Sequence, residues 1–200
     1  MSGIIADNSG RHTGLVKAAS GGGGIWNLIL TQTASSSADI SFTSGLDSTY
    51  DEYVFKFFNI HPSEQEHLYF NLSTDSGSNY NVTKTSTVFQ TYHGEDDGGG
   101  SISYQAGNDL AQSTGDQKIA NNISIGNDSS FSGSLTLFNP SSTTFVKHFI
   151  IRAPYVEGSN GIVEYYVAGY ANTTSAVDAI IFRMNSGNID AGTISMYGIT

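Results

Sequence analysis

The chain has 200 residues, of which 38% are apolar and only 13% are charged. That length suffices for one domain with a single core. The formal net charge of −10 repels nucleic-acid phosphates and anionic membrane surfaces. No apolar run approaches the roughly 20 residues that span a bilayer, and the absence of cysteine excludes disulfides and cysteine-ligated metals. We expect neither a nucleic-acid partner nor a membrane partner.

Beyond a run of glycines near the N-terminus, short segments rich in β-branched and aromatic residues follow one another. In HLYFNLS (67–73), Leu68, Phe70 and Leu72 alternate with other residues, the period-2 pattern of a strand. YVFKFFNI (53–60) is apolar on both faces, which predicts a strand covered on both sides. The predicted strands are 25–30, 38–42, 53–60, 67–73, 81–93, 134–138, 145–152, 162–170, 179–184 and 192–199.

The intervals between these segments contain Gly, Asn, Asp and Pro, the usual turn residues. Strands that recur at about 8 to 12 residues with such turns predict an antiparallel β-sandwich or jelly roll. The one helix candidate, 108–120, is interrupted by Gly115, so we expect at most one short helix. Residues 92–103 contain three acidic residues followed directly by three glycines and predict a mobile hairpin tip. The body of this all-β fold is predicted over residues 25–200.

Residues 1–24 differ from this body and predict an extended N-terminal arm. Charged residues interrupt every apolar run, unlike the apolar stretch of a signal peptide. The arm has four large apolar residues, Ile4, Ile5, Leu15 and Val16. They are too many for a purely solvated tail and too few for a core. We predict that they anchor the chain on a partner and that the closing glycine run is a hinge.

The sequence carries no recognisable catalytic motif, since a GxSxG elbow, an HExxH pair, a P-loop and a helix-opening GxGxxG are all missing. Carboxylate pairs occur as Asp51/Glu52, Glu64/Glu66 and Asp96/Asp97. A glycosidase needs two carboxyls facing each other about 5 to 9.5 Å apart. Neighbours on a strand point to opposite faces, and the other two pairs lie in predicted loops. We therefore expect a protein without catalysis or cofactor, and a polysaccharide depolymerase is the weaker alternative.

Metal binding is not indicated by the histidines or the acidic loops. His61 and His67 lie six residues apart across a turn, which is not a spacing typical of metal ligands. Calcium could bind the acidic tip at 95–97, or DSGSN (75–79), which resembles the start of a calcium loop but lacks its closing Glu. We interpret both segments as turns.

Aromatic residues are a marked excess, with 11 Tyr and 11 Phe. Four of them cluster around one predicted hairpin: Tyr155, Tyr165, Tyr166 and Tyr170. Tyrosine has a flat apolar ring and a hydrogen-bonding tip, so it serves in cores, in subunit interfaces and in stacking on sugars. We favour a core or subunit contact here and keep ligand binding as the alternative.

Four segments resemble virion structural proteins of tailed phages from marine bacteria, including cyanophages. They are SFTSGLDSTYDEYVFKFFNIHP, FNLSTDSGSNYNVTKTSTVFQTYH, LFNPSSTTFVKHF and AGYANTTSAVDAIIFRMNSGNIDAGTISMYGI. In this order they cover most of residues 41–199. The opening IIADNSGRHTGLVKA is similar to N-terminal segments of marine phage fibre-like proteins with unrelated bodies.

The resemblance implies a virion surface protein assembled in the host cytoplasm, either a head decoration or fibre, or a tail fibre or its tip. It also implies a β-sandwich and a homotrimer. We therefore predict a non-enzymatic structural protein held by its N-terminal arm on other virion proteins of the capsid, portal or tail. The alternative is an adhesin that binds a host receptor or surface glycan near the tyrosine hairpin or at 93–101.

Overall fold

The computed structural model describes residues 25–199, and every regular element in that range is a β-strand. The strands are β1 (Trp26–Thr33), β2 (Asp39–Phe42), β3 (Glu52–Pro62), β4 (Glu66–Ser73), β5 (Lys84–Gly94), β6 (Gly100–Tyr104), β7 (Gln117–Ile123), β8 (Phe131–Phe138), β9 (Lys147–Glu157), β10 (Gly161–Ala171), β11 (Ala179–Met184) and β12 (Ile189–Ile199). The all-β prediction is confirmed. The predicted arm, with Ile4, Ile5, Leu15 and Val16, lies outside the described residues.

Within residues 25–199 the strands form one twelve-stranded antiparallel sheet with two parts, which we call the large sheet and the small sheet. The large sheet has the order β1-β12-β3-β8-β9-β10-β5-β6, and the small sheet has the order β7-β4-β11-β2. A pair between Ile123 of β7 and Glu157 of β9 joins them. The result is a nearly closed, sandwich-like fold, so the predicted antiparallel class is confirmed.

Strand alternation directs one face of each sheet into a shared core. In β9, Phe149, Ile151 and Tyr155 point inward and are almost fully buried. Phe182 of β11 stands at the centre, with its ring centroid 5.1 Å from that of Phe57 in an edge-on arrangement. The core therefore holds together strands from both sheets.

Residues 108–120 contain no helix, which agrees with the expectation of at most one short one. The chain is irregular up to β7, which begins at Gln117. The buried Gln117 side chain donates to the carbonyl oxygens of Asn108 at 3.0 Å and Lys118 at 2.9 Å. These hydrogen bonds satisfy backbone groups of an extended segment, so a helix is not needed there.

The predicted tip at 92–103 contains most of β6, a strand that the sequence did not predict because it begins in the glycine run. Strands β5 and β6 form a hairpin in which Phe89 pairs with Tyr104 and His93 with Gly100. Asp97 (φ 61°) and Gly99 (φ 64°) supply the left-handed backbone of its turn. The acidic and glycine residues thus build a tight turn between two paired strands.

Strand β3 is covered on both faces at one end only. Val54 on its outer side is buried, as predicted, whereas Phe58 is 48% exposed. The register with β8 shifts between Phe57 and Ile60, and Asn59 there has a φ of 50°. This bulge changes the direction of the following side chains and ends the double coverage.

Candidate functional site

The outer side of β9, β10, β5 and β6 carries a patch of exposed apolar side chains. The exposed fraction is 40% for Phe89 and 77% for Ile102. The strand register places three rings side by side on one surface. Phe89 of β5 lies between Tyr166 of β10 and Tyr104 of β6. We call this set the outer apolar face: Phe89, Ile102, Tyr104, Ile150, Ile162, Tyr166 and Ala168. Contiguous patches of this kind commonly mark interaction sites.

A stack of three side chains stands in the middle of the outer apolar face. The rings of Tyr166 and Phe89 are parallel, with centroids 4.5 Å apart and planes at 5°. The guanidinium carbon of Arg152 lies 4.4 Å from the Tyr166 centroid. Because β5 and β9 flank β10, these neighbours cover opposite sides of the ring. Both flat faces of Tyr166 are therefore occupied.

Glu164, two residues earlier on β10, holds this stack in place. Its carboxylate accepts a hydrogen bond from Arg152 Nε at 2.6 Å and another from the Tyr166 hydroxyl at 2.8 Å. The hydrogen bond with Glu164 raises the pKa of Arg152 and also raises the pKa of Tyr166. The guanidinium stays charged, and the ring is oriented before any partner arrives.

A groove of about 460 Å³ opens beside the stack. Its outward-facing lining is Thr85, Thr87, Phe138, His148, Ile150, Ala168 and Tyr170. Ala168 creates the depression because it is small and lies between Tyr166 and Tyr170 on the same face of β10. The volume falls within the range of about 300 to 1,000 Å³ that is usual for small-ligand pockets.

One end of the groove is polar. The Tyr170 hydroxyl accepts a hydrogen bond from Gln112 Nε2 at 3.2 Å, and the same nitrogen donates to Thr85 Oγ1 at 2.7 Å. Asn172 Nδ2 donates to Gln112 Oε1 at 2.6 Å. An apolar floor with amides and hydroxyls at its rim can accept a ligand that has an apolar face and hydroxyl groups.

Two of the four predicted contact tyrosines belong to the core. Tyr155 and Tyr165 are buried, and burial raises the pKa of both hydroxyls. The Tyr165 hydroxyl accepts a hydrogen bond from Asn108 Nδ2 at 2.7 Å. Adjacent residues on a strand face opposite ways, so an inward Tyr165 places Tyr166 outward. Ligand or subunit contact on this hairpin is left to Tyr166 and Tyr170.

The two histidines considered as metal ligands make separate local hydrogen bonds. His61 Nε2 lies 3.3 Å from the carbonyl oxygen of Gly126. His67 Nδ1 accepts a hydrogen bond from the Asn122 backbone N–H at 2.9 Å. Burial lowers the pKa of His67, and the positive charge of Lys118 lowers it further. His67 thus links β4 to β7 in its neutral form.

The acidic segments form closed turns. Asp75 accepts hydrogen bonds from the Asn79 backbone N–H at 2.9 Å and from its side-chain nitrogen at 2.7 Å. Asp96 accepts one from the Gly98 N–H at 2.8 Å. Across residues 25–199, no three His, Cys, Asp or Glu side chains converge as metal ligands would.

Sequence reasoning missed several members of this site, above all Arg152, Glu164 and Phe89. The available signal was in β9, where Ile150 interrupts an inward pattern of Phe149 and Ile151. An apolar residue at an outward position of a half-exposed strand indicates a contact surface. Which strands are neighbours, and hence which side chains stack, depends on long-range pairing that periodicity does not reveal.

No protein-family model matches the chain, and no curated protein matches it at a significant level.

Within residues 25–199 there is no helix of the length and apolar character required to cross a membrane.

Proposed function

We propose that this chain is a non-enzymatic structural protein on the surface of a tailed-phage virion, as a head decoration, fibre or tail fibre. In this proposal its β-sandwich body associates with other copies, as a homotrimer, through the outer apolar face. Its N-terminal arm attaches it to other virion proteins. The resemblance in residues 41–199 suggests the virion, and the outer apolar face carries the argument for association.

The first support is the composition of that face. Phe89, Ile150 and Ile162 are each at least 40% exposed and lie on adjacent strands. Burying apolar surface contributes about 25 cal/mol per Å², so covering these side chains with another chain favours association. Aromatic residues and arginine are also the types enriched in protein interfaces.

The second support is the fixed geometry of the stack. Phe89 and Arg152 cover the two faces of Tyr166, so a sugar ring has no free face of that tyrosine to stack on. A preorganised surface loses little side-chain entropy when a flat protein partner covers it. This arrangement favours a protein contact over a glycan contact at Tyr166.

Purified particles of the phage that encodes the chain provide the test. Quantitative mass spectrometry of washed particles should find the chain at a fixed copy number that is a multiple of three. When the phage encodes a chain without residues 1–24, its particles should carry that chain at less than normal occupancy. Full occupancy by the truncated chain contradicts the role of the arm, and absence of the chain from particles contradicts the virion proposal.

A host-glycan adhesin is a second candidate, favoured by the groove beside Tyr170. That groove joins an apolar floor to the amide and hydroxyl groups of Gln112 and Thr85. Tyr170→Ala should abolish binding to host-surface polysaccharide. Tyr104→Ala, an exposed tyrosine outside the groove, is the control and should keep binding. This result favours the adhesin function. Absence of binding to any host glycan argues against it.

A further inference from the structure

A buried lysine and a buried asparagine face each other between the two sheets. Lys84 is the first residue of β5 in the large sheet, and Asn71 lies in β4 of the small sheet. Lys84 is 0% exposed and Asn71 is 1% exposed. Lys84 Nζ lies 2.5 Å from Asn71 Oδ1 and 2.8 Å from the carbonyl oxygen of Val82. The amine thus meets a carboxamide in a site without bulk water.

We propose that Lys84 and Asn71 form an intramolecular isopeptide cross-link, with Asp116 transferring a proton and ammonia leaving. The product is a secondary amide between Nζ of Lys84 and the side-chain carbon of Asn71. It fastens β5 of the large sheet to β4 of the small sheet. The reaction depends on three groups around the carboxamide: the Lys84 amine, the Leu72 backbone N–H and the Asp116 carboxylate.

The carboxamide is held in the way that acyl transfer requires. Its Oδ1 accepts a hydrogen bond from the Leu72 backbone N–H at 2.8 Å, and that donor can stabilise negative charge on the oxygen. Its Nδ2 donates to Asp116 Oδ1 at 2.8 Å and to the Thr114 carbonyl oxygen at 3.1 Å. The leaving nitrogen is therefore in direct contact with a carboxylate.

The lysine is poised as a nucleophile. Burial lowers its pKa to about 8, so part of the population carries the unprotonated amine near neutral pH. Asp116 opposes this shift by attracting the ammonium. Arg183 donates to Asp116 through Nε at 2.7 Å and Nη2 at 3.0 Å, which holds that carboxylate in position beside the carboxamide.

The reaction balances without any co-reactant. The Nζ lone pair forms a bond to the Asn71 carbonyl carbon, and the C=O pair moves onto Oδ1 beside the Leu72 N–H. Both nitrogens are then attached to one carbon, within reach of one carboxylate. Asp116 accepts a proton from Nζ and returns it to Nδ2, the carbonyl re-forms, and the C–Nδ2 bond breaks. One amide replaces another, one ammonia is released, and nothing is oxidised or reduced.

Lys147 is the natural control within the same chain. It is also 0% exposed, but its Nζ donates to the backbone carbonyls of Phe145 at 3.1 Å and Thr173 at 3.0 Å. A peptide carbonyl in a strand or loop offers no carboxylate-bound leaving group of this kind. Burial alone does not make the site, so Lys147 should keep a free amine.

Intact-mass spectrometry of the purified full chain tests the cross-link. The wild-type protein should weigh one ammonia less than its sequence mass, and this deficit should complete faster at about pH 9.5 than at about pH 7. Trypsin should fail to cleave after Lys84, yielding residues 57–118 as one peptide with that deficit. Lys84→Arg should restore the full mass, whereas Lys147→Arg should keep the deficit.

Asp116→Asn isolates the proton-transferring step, and slower or absent loss of ammonia in folded protein is expected. A wild-type mass equal to the sequence mass after prolonged incubation at about pH 9.5 overturns the proposal. So does a loss of ammonia in which trypsin still cleaves after Lys84, because that pattern indicates ring closure at Asn71 alone. An unchanged rate in Asp116→Asn overturns the assigned role of Asp116.

Discussion

The inner and outer faces of β9 and β10 place similar residue types in opposite environments. Tyr165 points into the core and is fully buried, and its hydroxyl accepts a hydrogen bond from Asn108. Tyr166, the next residue, points outward and stands between Phe89 and Arg152. The side chains of the inner face are buried by other residues of the same chain, whereas several apolar side chains of the outer face remain exposed. The first face accounts for folding, and the second is the surface through which we propose that copies associate.

The difference also appears in how charge is used. Inward positions of these strands are apolar from Phe149 to Tyr155, while outward positions combine Ile150 with the Arg152–Glu164 pair. A pair that is partly exposed contributes little to stability, so its value lies in orienting Tyr166. Mutations on the two faces should therefore separate stability from association.

The largest expected effect is on the inner face. Phe149→Ala removes a ring that packs 5.2 Å from the Phe70 centroid, and should lower the free energy of unfolding by about 3–5 kcal/mol. Ile150→Ala, one residue along and 48% exposed, should cost less than about 1 kcal/mol. Urea denaturation of both variants measures the contrast. Equal losses would show that the two faces do not differ as described.

The next effect is on association. Ile150→Asp places a charge on the outer apolar face and should weaken self-association at least about tenfold, with monomer stability nearly unchanged. Sedimentation equilibrium of the full chain over a range of concentrations measures this. Phe58→Asp, at an exposed apolar position of β3 outside the face, is the matched control. A similar loss in the control would assign the contact elsewhere.

A smaller effect is expected on the dependence of stability on pH. It sets the pH range in which the stabilities of inner-face and outer-face variants should be compared. The pKa of His67 is lowered in the folded chain, so the unfolded state binds more protons below about pH 6.5. Stability from this group is present above that pH and is lost as pH falls through the folded pKa. His67→Gln should flatten the dependence of unfolding free energy on pH below about 6.5, as measured by urea denaturation at several pH values.

The smallest effect is expected at Arg152. Its side chain is 56% exposed, so Arg152→Gln should lower the free energy of unfolding by only about 0.2–1 kcal/mol, and less at high salt. The same variant should weaken self-association more clearly, because Tyr166 loses its fixed orientation. Thermal unfolding and sedimentation of one sample compare the two. A large stability loss with unchanged association would reverse the assignment.

The fold class was predictable from the sequence because local alternation in segments such as HLYFNLS reflects burial directly. Two strands were not. β6 begins in a glycine run, and β7 contains Asn121 and Asn122, which have low strand propensity. Both are stabilised by neighbouring strands that are distant in sequence, so tertiary pairing overrides the local preference.

The candidate site was predictable only in part. The tyrosine cluster pointed to the hairpin that carries the stack, yet only the direction of each side chain separates Tyr165 from Tyr166. The stack requires Arg152 of β9 and Phe89 of β5 on either side of β10, and this order of strands has no local signature. Lys84 and Asn71 likewise meet through the packing of two sheets.

A cryo-electron microscopy reconstruction of the virion would show whether the outer apolar face is a contact between copies of the chain. We predict that Phe89, Ile150 and Ile162 are buried against another copy of the chain, with the Arg152–Tyr166–Phe89 stack inside that contact. Density in which these side chains face solvent in every copy, while the copies touch through a different surface, would contradict it.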